Sequence, residues 1–308
     1  VDSVDMSTST SNVTFNVDSF IIGSATQAKS VLTTGTFTMQ PADGAQSFDR
    51  AVDLTGLTIS PGVTGVTLGQ SGTGGTVSGA TQNNTDFTIA NAISAAGPIR
   101  VYGKSIAVSA NLTTTNASEI LLKGTQDVTL GAGTSTAARK SFTTAGGAIT
   151  LWSNSDASGL GFVELGNYTE LNSGAGAITL AGSATATEIS PTGYASAGTG
   201  GYGVSIGTSA VATDSVKLTT TSGDITVRGK LVSGSGSGMG LTINSGANLT
   251  SATGAITIDG ASYQPTGIAQ GHATYLNTSG GYTTTITTGD ASGTAIDIKG
   301  IVTSGASA

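Results

Sequence analysis

Cysteine is absent from this chain of 308 residues, which excludes disulfides, thiol nucleophiles and thiolate metal sites together. Histidine occurs once, at His272, so a zinc site or a catalytic triad would have to be built mostly from carboxylates. Charge is scarce as well: 9% of residues are charged, against about 25% in an ordinary globular domain. The 11 lysines and arginines form no basic stripe, and the net charge is −7. That balance excludes binding to nucleic acid by phosphate neutralisation. No run of about 18 apolar residues exists, so no membrane-spanning helix is expected. Sustained i, i+3, i+4 apolar spacing is missing too, and glycine interrupts nearly every window long enough for a helix. The opening VDSVDMSTST has neither a basic region nor an apolar core of a signal peptide. It reads as the start of a mature product or of a segment cut from a longer chain.

What is present is glycine, 47 residues of it, with 37% hydrophobic residues. A short phrase recurs: GPIRVYG from Gly97, GAITLAG from Gly176, GDITVRG from Gly223 and GAITIDG from Gly254. Looser copies are EILLKG from Glu119, GAITLWS from Gly147 and TAIDIKG from Thr294. Two branched aliphatic side chains stand two apart in each, so they share one face of a strand. The closing glycine is expected to end the strand at a turn. Ile99 and Ile120 lie 21 positions apart, Ile106 and Val128 22 apart. One strand unit repeated at such intervals predicts coils stacked on coils.

Later markers lie farther apart: 47 positions separate Ile178 from Ile225, and 40 separate Ile256 from Ile296. The spacing predicts further, weaker coils there, with candidates near Val204, Val216 and Thr285, and about twelve coils in all. Insertions rich in Gly, Ser, Ala and Thr follow Trp152, Ile189 and Gly260. They are expected to leave the coils at corners, where solenoids place binding surfaces. The first ninety residues fit the period less well. The expected organisation is an N-terminal β cap or small β-module over 1–51, then a parallel β-solenoid over 52–308.

Chemistry is thinly signalled. The third residue after each marker isoleucine should face outward, giving Tyr102, Lys123, Trp152, Ala181, Arg228, Asp259 and Lys299. Apart from Ala181, these form a candidate ligand face, since aromatic rings and charges are common in carbohydrate and protein recognition. The alternative is a solvated outer face with mild charge pairing. Ser205 sits in a G-x-S-x-G pattern, but Val204 and Ile206 alternate around it as in a plain strand with no helix following. Glu164 with Glu170, and Asp214 with Asp224, are the carboxylate pairs that glycoside hydrolysis would need. Arg228, Lys230 and Asp259 are the one group suited to a polysaccharide-processing β-helix. No metal or cofactor is expected.

The stretch from Gly97 to Gly182 resembles the haemagglutinin-type β-helix of large bacterial surface exoproteins, the filamentous-haemagglutinin-like adhesins. The likeness rests on AGPIRVYGKSIAVSANLTTT, EILLKGTQDVTLGAG, GGAITLWSNSDASGLGFVELG and GAGAITLAG. It implies a right-handed parallel β-helix, secretion through an outer-membrane partner, and a role in adhesion or surface-layer building. It carries no catalytic residues. The expectation is therefore an all-β, exported, non-enzymatic adhesin or fibre segment at the cell surface. Its partner would be a glycan or protein receptor, or further copies of the chain. A β-helix polysaccharide-processing enzyme, a tailspike-like glycan binder and a self-assembling filament subunit are the alternatives.

Overall fold

In a computed structural model the described residues are 3–6, 9–20, 29–42, 47–71, 82–198, 200–209, 213–232, 238–265, 272–277, 281–291 and 295–305. They form an all-β molecule without a helix, built as a parallel β-solenoid. Every pairing between strands is parallel, and strands of three long sheets follow one another in rotation along the chain.

Sheet I contains ten stacked strands: β2 (Val13–Asn16), β4 (Thr36–Gln40), β7 (Gly65–Leu68), β10 (Ile99–Gly103), β13 (Ile120–Gly124), β16 (Ile149–Ser153), β19 (Ile178–Gly182), β23 (Ile225–Leu231), β26 (Ile256–Pro265) and β29 (Ile296–Gly305). A short strand, β20 (Ala195–Ala197), joins it beside the end of β23. Sheet II holds β5 (Val52–Asp53), β8 (Phe87–Ile89), β11 (Ile106–Val108), β14 (Val128–Leu130), β17 (Val163–Leu165), β21 (Tyr202–Ile206), β24 (Met239–Ile243) and β27 (His272–Leu276). Sheet III holds β9 (Ile93–Ala95), β12 (Leu112–Thr114), β15 (Lys140–Thr144), β18 (Thr169–Gly174), β22 (Val216–Thr220), β25 (Ala247–Ser251) and β28 (Thr285–Thr288). A small sheet of β1 (Ser3–Met6), β3 (Lys29–Thr33) and β6 (Leu57–Ile59) lies at the N-terminal end. It spans both sides of position 51, and β2 and β4 already belong to sheet I.

The marker isoleucines stack in register. Ile99 pairs with Ile120, Ile120 with Ile149, Ile149 with Ile178, Ile178 with Ile225, Ile225 with Ile256 and Ile256 with Ile296. Sheet II contributes Phe87, Ile106, Val128, Val163, Val204 and Leu241 to the same core, and sheet III contributes Leu112, Phe142, Leu171, Leu218 and Leu249. Each such side chain, fully withdrawn from water, stabilises the stack by about 1.5–3 kcal/mol before chain entropy is counted.

Three expectations are corrected. Among the described residues the wide marker spacings contain no additional coils: β21 and β22 are the sheet II and sheet III strands of the coil between Ile178 and Ile225, and β28 is the sheet III strand between Ile256 and Ile296. Among the described residues sheet I has ten rungs rather than twelve, which span about 43 Å at the usual strand spacing. The closing glycines do not all end strands either. β23, β26 and β29 run on through Gly229, Gly260 and Gly300, which lie side by side. A Cβ at Gly229 would overlap the Gly240 carbonyl, and one at Gly260 the Ala273 carbonyl. Glycine is needed there for close approach to sheet II rather than for a turn. Consequently ASYQP, expected in a loop, is strand; residues 266–271 of that insertion and Thr294 lie outside the described residues.

The first glycine of the phrase has its own cause. At the corner from sheet III to sheet I, Gly147, Gly176, Gly223 and Gly254 form a column in which a Cβ would strike the backbone of the coil below. Buried hydroxyls run beside it. Thr144, Ser173 and Thr220 donate to the carbonyls of Gly147, Gly176 and Gly223, and Ser251 donates to Gly223 at 3.1 Å. These bonds satisfy corner carbonyls that the ladders do not reach.

Candidate functional site

The proposed outward row exists as a row. Tyr102, Lys123, Trp152 and Ala181 are successive register partners on sheet I, as are Arg228, Asp259 and Lys299. Its first three members are not an exposed face, whereas Arg228 and Asp259 are part-exposed and Lys299 is exposed. Tyr102 is 6% exposed, Lys123 0% and Trp152 1%, because insertions at the corner between sheets I and II fold back over them. Gln82 donates to the carbonyls of Gly103 and Lys123 at 3.0 and 2.9 Å, and Asn83 donates to that of Tyr102 at 2.9 Å. The Trp152 indole donates to Ser183 Oγ at 2.8 Å, and Ser183 donates in turn to the Ser155 carbonyl at 3.0 Å. Lys123 Nζ lies 4.0 Å from the centroid of the Trp152 ring, a cation–π contact that offsets part of the cost of burying an ammonium group. Burial lowers the Lys123 ammonium to about 8, with Glu188 acting in the opposite direction.

The later half of the row is occupied differently. Arg228 donates to the Thr192 carbonyl at 3.0 Å, Tyr194 donates its hydroxyl proton to Asp259 at 3.0 Å, and Lys299 pairs with Asp297. The remaining sequence candidates do not assemble. Ser205 is buried in β21 and donates to the Gly207 carbonyl at 2.9 Å. His272 stacks on Tyr275 with centroids 5.3 Å apart. Glu164 lies on sheet II, whereas Glu170 lies on sheet III, 3.9 Å from Arg139. Asp214 contacts Lys217 and Asn248, while Asp224 accepts the Ala255 amide. Among the described residues no three His, Cys, Asp or Glu side chains converge as a metal site.

An accessible concavity lies around the corner, on the outer face of sheet II. Val128, Val163 and Val204 point into the core, so the alternation sends Asp127, Phe162, Glu164 and Ser205 outward. There they floor a cleft of about 630 Å³ with Leu160 and Tyr202 at its rim. Leu160 is 51% exposed and Tyr202 39%. Asp127 accepts the Phe162 amide at 3.2 Å, which ties one coil to the next. Burial raises the Asp127 carboxyl above the usual carboxylate range, opposed by hydrogen bonds from Phe162 and Ser105. Burial alone raises the Glu164 carboxyl.

Two of the expected corner insertions make the walls. Ser196 in β20 and Gly161 exchange both backbone hydrogen bonds, at 2.8 and 2.7 Å, in an antiparallel bridge. The flap that carries Gly161 holds Asn154 and Ala157 at φ 46° and 52°, a left-handed conformation that costs a non-glycine residue about 1 kcal/mol. Across the flap, a second hollow of about 490 Å³ includes Ser183, Tyr194, Ser196 and Lys230. Alternation about the buried valines could have identified Asp127, Phe162 and Glu164 as a cluster, but the placement of Tyr202 depends on the fold of the insertion. Comparison of the chain with protein-family models, curated proteins and solved structures gives no match.

Proposed function

We propose that this protein is a non-enzymatic adhesive or fibre segment that works outside a bacterial cell. The observation that carries the reading is the division of labour within the fold: one uninterrupted core and three parallel ladders make a rod, while corner insertions build a recessed surface on its side. Rungs linked by backbone hydrogen bonds resist extension along the axis. Copies presented together gain avidity from individually weak contacts. The resemblance of Gly97 to Gly182 to filamentous-haemagglutinin-like adhesins supports export through an outer-membrane partner and a surface location. The receptor would be a glycan or protein.

A second reading, a self-assembling filament, is favoured by β29. Among the described residues this ten-residue strand pairs only with β26, and Ile296, Ile298, Ile301 and Val302 along it are exposed. Such an edge is a template for strand addition. Beads coated with the protein should attach to cells or to immobilised surface polysaccharide without releasing product. Shortened oligosaccharides in the supernatant would overturn the non-enzymatic reading. Concentration-dependent filaments in electron micrographs would favour the second.

A further inference from the structure

We infer that the sheet II cleft between Asp127, Phe162, Glu164 and Tyr202 binds a neutral glycan segment. The inference deepens the adhesive reading by naming the class of receptor. Its volume, about 630 Å³, falls within the roughly 300–1,000 Å³ typical of small-ligand sites. Its lining is mixed: Leu160, Phe162 and Tyr202 offer apolar and aromatic surface, while Glu164, Asp127 and Ser196 offer acceptors. A pyranose ring has that same double character, with C–H faces that pack on aromatic rings and equatorial hydroxyls that donate to carboxylates.

The competing ligand classes fit less well. Glu164 is half-buried with no cation contributing to its electrostatics, so an acidic sugar would bring a second carboxylate against one that is already poorly solvated. A peptide adding as a strand would need an open sheet edge, yet the edge of β20 beside the cleft is closed by the Gly161 bridge. On adjacent strands, Asp127 and Glu164 are diagonal outward neighbours, because Val128 pairs with Val163 and Thr129 with Glu164. Two residues of rise and one strand spacing put their Cα atoms about 8 Å apart, a spacing that lets two hydroxyls of one glycan be held at once.

The test is calorimetric titration with neutral hexose tetrasaccharides and with uronate tetrasaccharides of the same linkages. At least one neutral compound should bind, and its uronate counterpart at least tenfold more weakly. Glu164→Gln, which keeps the side-chain volume, and Tyr202→Ala should each weaken binding at least tenfold with the melting temperature shifted by no more than about 2 °C. Glu170→Gln, on sheet III, should leave it unaltered. Equal binding of uronates, no binding of any neutral compound, or full affinity in both cleft variants would overturn the inference. If coated beads still adhere to cells while no neutral glycan binds, the cleft assignment fails and the adhesive reading stands. If glycans bind and beads do not adhere, the adhesive reading fails alone.

Discussion

Sheets I and II carry the same alternation of inward aliphatic and outward polar or aromatic residues, yet their outward rows meet opposite fates. On sheet I, Tyr102, Lys123 and Trp152 are sealed beneath inserted chain and act as a second, smaller core. On sheet II, Phe162 and Glu164 floor an open cleft whose rim includes the half-exposed Tyr202. The chain after β19 serves both outcomes, since Ser183 bonds to Trp152 while Ser196 and Tyr202 line the cleft. Gln82 and Asn83, by contrast, cover Tyr102 and Lys123 from an earlier insertion. Pointing outward from a coil is therefore a statement about the backbone, and exposure is a statement about what the corners do next.

The sharpest way to break this comparison is to truncate one aromatic on each face. Trp152→Ala should cost about 3–5 kcal/mol of stability, the range for removing a large buried aromatic. Tyr202→Ala should stay within about 0.5 kcal/mol, as exposed substitutions do. Equal losses in denaturant melts would mean that the two faces are not distinct.

The pH dependence of stability sharpens the same contrast. The Lys123 ammonium falls from its ordinary 10.5 to about 8 in the folded protein. Between those values the unfolded chain holds a proton that the folded one has released, so stability from this group rises with pH across that window and is flat below it. The rise amounts to at most about 3 kcal/mol, and Lys123→Met should abolish it in melts recorded from pH 7 to 10.5. At the corner from sheet III to sheet I, Gly176→Ala should cost about 1–3 kcal/mol, as overpacking does, because its Cβ would overlap the Gly147 carbonyl. The smallest effect belongs to the open face. The Glu164 carboxyl titrates above its unfolded value, so its contribution falls as pH rises through that interval. Glu164→Gln should raise stability at neutral pH by no more than about 0.5 kcal/mol.

Much of the stack is legible in the sequence because its cause is local. Ile99, Ile120, Ile149, Ile178, Ile225 and Ile256 repeat in a fixed phrase, and each fixes the side its neighbours face. The corner leaves a trace in the sequence that the apolar repeat does not point to: Thr144, Ser173, Thr220 and Ser251 each stand three residues before a column glycine, and the first three bond to that glycine's carbonyl. Coil count is not legible, because a spacing of 47 residues does not say whether the extra chain stacks or protrudes. The cover over Trp152 was missed for a related reason. It depends on Ser183, 31 positions away, lying in chain that loops outside the period altogether. Asp127, Phe162 and Glu164 are not legible as a group along the chain, since their proximity comes from neighbouring rungs.

The direct pairing of Ile178 with Ile225 across 46 intervening residues has a further consequence. The rod records only whether the chain returns to its rung, not how far it wanders first. Excursions at the corner between sheets I and II can be lengthened, exchanged or redecorated without renumbering a single step of the stack. A lineage built this way can alter what it grips at the cost of a few surface residues while its shaft remains the same.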